Sequence, residues 1–174
     1  MSLFKKIVFT FFIFFTTFSY AQFLPDNKSL NVQSVQRWMQ SNRDFSSVMQ
    51  ALDAMHKTEN DLKKFEALPA TEQDQKITVF LQQKNLLESA NAISLQHGWK
   101  SVGEYMRLST KLGNAIAAYF FAEETAKLSD TQKKAVIAKT DAAVLNAPPE
   151  DVAFVKNNEK LLKAYIQSYA KGRQ

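Results

Sequence analysis

The chain has 174 residues, 22 of them lysine or arginine and 17 aspartate or glutamate, for a net charge of +5. It contains no cysteine, only four glycines and four prolines, and two histidines. These counts exclude a disulfide scaffold, a thiol nucleophile, a cysteine-ligated metal and a collagen-like or low-complexity chain.

The first 21 residues read as a leader. Lys5 and Lys6 precede an apolar run from Ile7 to Phe18 broken only by threonines, and Ser19-Tyr20-Ala21 puts small residues three places and one place before a break. A basic head, a short apolar middle and a small-residue exit are the parts of a secretory signal peptide, cleaved here after Ala21. The run is shorter than the roughly 20 residues that cross a bilayer core, which argues against a retained anchor. With no cysteine after the run, a lipid anchor is not expected either. Loss of Lys5 and Lys6 leaves 20 basic residues against 17 acidic ones, a charge of +3. The expected product is residues 22–174, one helical domain, periplasmic or secreted, with no stable membrane insertion after cleavage.

From Asn27 onward the apolar spacing is three and four, the period of helices. Val32, Val35, Trp38 and Met39 predict a short first helix. Phe45 to Phe65 predicts a second, after Asp44 as cap, ending near Leu68-Pro69 because the residue before proline avoids helical geometry. A third runs from about Thr71 to Gln96, with His97-Gly98 as its exit.

Ser101-Val102-Gly103-Glu104 fits a capping box and opens a fourth helix reaching about Lys127. Tyr105, Leu108, Leu112, Ala115, Tyr119 and Ala122 form its stripe, and no residue from Gly113 to Ala122 is charged. Apolar character around most of the circumference predicts a buried central helix. Ser129-Asp130-Thr131-Gln132 opens a fifth helix, ending near Leu145, and Pro148-Pro149 sets the first turn of a last one. No segment alternates as a strand does, and no Asn-Gly or Asp-Gly turn occurs. The expected fold is all-α, a compact bundle of five to six mostly antiparallel helices.

Few residues invite chemistry. Asp53, His56 and Glu59 stand at i, i+3 and i+6, so neighbours could share an ion. A fourth ligand is hard to find: a hairpin about Pro69-Ala70 would put His97 roughly 20 Å from His56. The plainer reading is a solvated face beside Met55, and no metal or cofactor is expected. Glu123 and Glu124 follow the apolar stretch of the central helix, where a buried carboxylate could act as acid or base. Consecutive residues diverge by about 100° on a helix, so at most one points inward. No nucleophile elbow, phosphate loop or dinucleotide fingerprint is present. Four arginines among scattered lysines do not make a nucleic-acid surface. Trp99, beside Gly98 and before the cap at Ser101, reads as a plug at the end of the core or as a recognition anchor. Trp38 divides the same way, and Tyr105 is the third candidate for an interaction or pocket surface.

The run Gly98-Trp99-Lys100-Ser101-Val102-Gly103-Glu104-Tyr105, with the alanine-rich helix after it, Pro149-Glu150-Asp151-Val152 and Asn158-Glu159, resembles small, uncharacterised, exported all-helical bacterial proteins over roughly residues 71–170. The resemblance implies the address and the fold and brings no activity. Leu128-Ser129-Asp130-Thr131-Gln132 is similar to the Leu-Thr-x-x-Gln motif of periplasmic chaperones of the Spy and CpxP type, with serine for threonine. The leading expectation is a non-enzymatic module that binds an envelope protein or peptide. Alternatives are a carrier or sensor of a small apolar ligand held between the first helix and the core, a chaperone of that type, and an enzyme whose site assembles only in space.

Overall fold

The computed structural model describes residues 29–56 and 58–163, and the leader read at residues 1–21 lies outside them. Among the described residues every regular element is a helix. Nine are bounded there: α1 (Val32–Ser41), α2 (Ser46–Asp53), α3 (Glu59–Glu66), α4 (Ala70–Gln83), α5 (Leu87–Gln96), α6 (Val102–Thr125), α7 (Asp130–Ile137), α8 (Ala142–Leu145) and α9 (Pro149–Asn157). Residues 159–163 are helical too. None of the described helices is long and apolar enough to cross a membrane.

The helices are shorter and more numerous than their apolar spacing predicts, because the expected second, third and fifth are each broken once, the fifth at residues 138–141, and the expected last is interrupted at Asn158. The expected second helix stops at Asp53 and restarts at Thr58, whose hydroxyl accepts the Asp61 amide at 3.1 Å. The expected third helix breaks at Lys84-Asn85-Leu86. Asn85 takes φ 56°, a left-handed conformation that asparagine tolerates better than most residues. The Leu86 amide then reaches the Leu81 carbonyl at 2.9 Å and the Asn85 amide that of Gln82 at 3.1 Å, which closes the carbonyl end of α4 as a Schellman turn. Gly98, at φ 71°, ends α5 the same way, with Trp99 N–H on Ser94 O at 2.8 Å. That exit was legible; the one at Asn85 was not.

Helix α6 lies against α1, α4, α5, α8 and α9. Its first two-thirds are buried along Val102, Tyr105, Met106, Leu112, Ala115 and Ile116. Beyond Ile116 the helix is only half-buried or exposed, so its apolar circumference reports burial on several sides in one portion and an emerging surface in the other. One hydrophobic cluster runs from Leu30 through α1, α2, α4 and α6 to Val155 and Leu162.

Two close approaches fix the register of α6. A Cβ on Gly103 would collide with the Asp74 carboxylate of α4 and come within 2.9 Å of the Arg107 guanidinium, so the missing side chain admits that ion pair. At the other side, Asp151 in the first turn of α9 accepts the Leu30 amide at 2.8 Å and faces the Lys111 ammonium at 3.3 Å. One fully buried carboxylate thereby ties the start of the described chain to α6 and α9.

Candidate functional site

The three aromatic residues singled out from the sequence converge where α1 and the α1–α2 turn meet the head of α6. Trp38, Trp99 and Tyr105 are 7 %, 5 % and 1 % exposed. Tyr105 stacks on Phe45 with centroids 4.1 Å apart and meets the edge of Trp99 at 5.5 Å. Each polar tip finds a partner from the other segment. The Trp38 indole donates to Ser109 Oγ at 3.1 Å, the Trp99 indole to Ser41 Oγ at 3.0 Å, and the Tyr105 hydroxyl to Asn42 Oδ1 at 2.7 Å. Buried aromatic rings supply large apolar area only if such tips are satisfied, and here they satisfy one another's helices.

A charged shell closes over this cluster. Arg37 places its guanidinium 3.9 Å from the Trp99 ring centroid, donates to Gly98 O at 2.7 Å, and pairs with Glu104 at 3.5 Å. Glu104 also accepts the Lys100 amide at 2.6 Å. The cap at Ser101 therefore differs from the box read in the sequence: serine takes the Glu104 amide at 3.0 Å, but the glutamate reaches back one residue past it. The Ser101 hydroxyl donates to Asp74 Oδ2 at 2.9 Å, and Arg107 holds Oδ1 of the same carboxylate at 2.6 Å. His97 Nε2 lies 2.7 Å from Asp44 Oδ2, a pairing of the α5 exit with the α1–α2 turn that no local spacing could reveal.

The remaining sequence candidates do not assemble. Asp53 is the last residue of α2, while His56 lies in the break before α3, so the helical spacing that would align them with Glu59 is absent. The His56 ring rests 4.8 Å from that of Phe65, and burial lowers its pKa against the opposing pull of Asp61. Among the described residues no three of His, Cys, Asp and Glu gather as metal ligands do. Glu123 is exposed and Glu124 half-buried.

The acids that do go inside are others. Asp151 is one; Glu66, the last residue of α3, is the second. Burial first, then the nearby Asp141 charge, pushes the Glu66 carboxyl up to about 8, with Lys63 pulling the other way. A glutamate at a helix's carboxyl end opposes the helix dipole, which is the one sequence signal that could have marked it.

A different surface is left by the 130–145 segment. Helix α7 buries none of its residues, and Ile137 and Leu145 remain 45 % and 42 % exposed. Lys134 and Lys139 of this segment are exposed, as is Lys127 just before it.

No family model matches the chain, and neither a curated protein nor a solved structure matches it.

Proposed function

We propose that this chain is an exported, periplasmic, non-enzymatic helical module that binds an envelope protein or peptide through the apolar residues of its α7–α8 segment. The observation that carries the reading is the contrast in burial between two parts of the fold. At the α1–α6 corner the aromatic groups and their polar tips are spent on one another, leaving little to offer a partner. At α7–α8 a helix stands without a buried residue, and two large aliphatic side chains face water. Exposed aliphatic side chains give a partner apolar area to cover, and the exposed lysines of the same stretch of chain favour one that carries acidic residues. Export rests on the leader pattern at residues 1–21, and the resemblance to small exported helical proteins agrees with it.

The test is photo-cross-linking in cells from a reactive residue placed singly at Ile137, Leu145 or, as a control, Val79, which is 54 % exposed on α4. We expect an adduct of the same discrete mass from positions 137 and 145 and none from 79. Adducts from all three positions, or from 79 alone, contradict the reading. The mass of the purified chain is expected to be that of residues 22–174.

A further inference from the structure

The corner between α3 and α4 holds two buried oxygens that lack a hydrogen-bond donor, Glu66 Oε1 and Gln73 Oε1. Their residues are 2 % and 1 % exposed. The glutamine amide cannot turn over, because its Nε2 already donates to Glu66 O at 3.2 Å and Leu68 O at 2.9 Å, carbonyls at the end of α3. Its oxygen is therefore a fixed acceptor in the corner that Glu66 occupies, and an ionised Glu66 would add only more acceptors.

The surroundings disfavour a negative charge as well. Glu66 ends α3, where the helix dipole is itself negative. Among the described residues the charged groups acting on it are Asp141, the cap of α8, and Lys63 on its own helix; α4 contributes the neutral Gln73. One proton supplies the missing donor and removes the buried charge together.

We propose that Glu66 is carried as a neutral carboxylic acid whose hydroxyl donates within the α3–α4 corner, with Gln73 Oε1 as acceptor, and that loss of this proton loosens α3 from the core. The corner is then a proton-held latch. Phe65, the residue before it, is buried in the core against His56, so opening the latch uncovers an apolar ring.

The direction of the pH response follows from the carboxyl being pushed up to about 8 from 4.5. Below pH 4.5 folded and unfolded chains both carry the proton, and the latch contributes in full. Between 4.5 and 8 the unfolded chain ionises while the folded one does not, so stability falls as pH rises. Above 8 both are ionised and the loss is complete. Linkage sets the slope at about tenfold in the folding equilibrium constant per pH unit, and about three-thousandfold across the window.

The experiment compares urea unfolding of residues 22–174 with that of Glu66→Gln from pH 5 to 9, where other ionisations affect both chains alike. The variant's amide can donate to Gln73 at every pH. The ratio of the two folding constants is expected to move tenfold per unit toward the variant and to level near pH 8. A second readout on the unmutated chain, the side-chain carboxyl carbon resonance of Glu66, is expected to titrate near pH 8. Parallel pH profiles, or a carboxyl that titrates below pH 5, would overturn the proposal. So would calcium or magnesium raising the melting temperature of the parent chain but not of Glu66→Gln, which would make the corner a cation site.

Discussion

Tyr105→Ala is expected to lower the unfolding free energy by about 3–5 kcal/mol, the range found for aromatic truncations in a packed core. Tyr105 is among the largest fully buried side chains, and it holds three elements at once. Its ring stacks on Phe45 of the α1–α2 turn and takes the edge of Trp99, while its hydroxyl donates to Asn42. Since small domains are stable by only about 5–15 kcal/mol, the loss is a large part of the whole. Tyr105→Phe keeps the rings and removes the donor to Asn42, and is expected to cost only about 1–2 kcal/mol. Urea unfolding separates the two variants; equal, small losses would mean that the corner is not the keystone of the fold.

The second large effect is expected at Asp151. Replacement by alanine leaves the buried Leu30 amide without its acceptor and removes the carboxylate that Lys111 faces. Removing one partner of a buried ion pair costs about 3–5 kcal/mol, much of it the desolvated group left behind. Asp151→Asn retains an acceptor for Leu30 and is expected to lose less than half as much. Because the Leu30–Asp151 bond pins the segment that leads into α1, protease sensitivity there should rise with the alanine variant and much less with the asparagine one. An alanine variant as stable as the parent would show that the tie between Leu30, α6 and α9 is dispensable.

These two residues mark the limits of reading the sequence. Helical periodicity, the serine cap at Ser101, the glycine exit at Gly98 and the proline start of α9 are local signals, and the structure uses each of them. The breaks inside the expected second, third and fifth helices were hidden because apolar spacing continues across them. Thr58-Glu59-Asn60-Asp61 carried the pattern of a new cap, but Asn85 gave no more than a tolerance for positive φ. The buried acids were hidden for another reason. Asp151 bonds a residue 121 positions away, and Glu66 is surrounded by groups from α4 and α8, so neither environment exists until the chain is folded. Glu123 and Glu124 follow an apolar run, and that run ends by emerging at the surface.

The proposed function divides the molecule in two: the aromatic corner lies inside the protein, and α7–α8 is the surface proposed to meet a partner. Trp38 and Trp99 are the only two tryptophans in the chain, so their fluorescence reports that corner alone. Acrylamide quenching of residues 22–174 under native conditions is expected to be weak for both indoles and to rise to that of free tryptophan in denaturant. Native quenching as efficient as that of the unfolded chain would contradict the account, because the rings would then be open to solvent and the recognition surface would move to the α1–α6 corner.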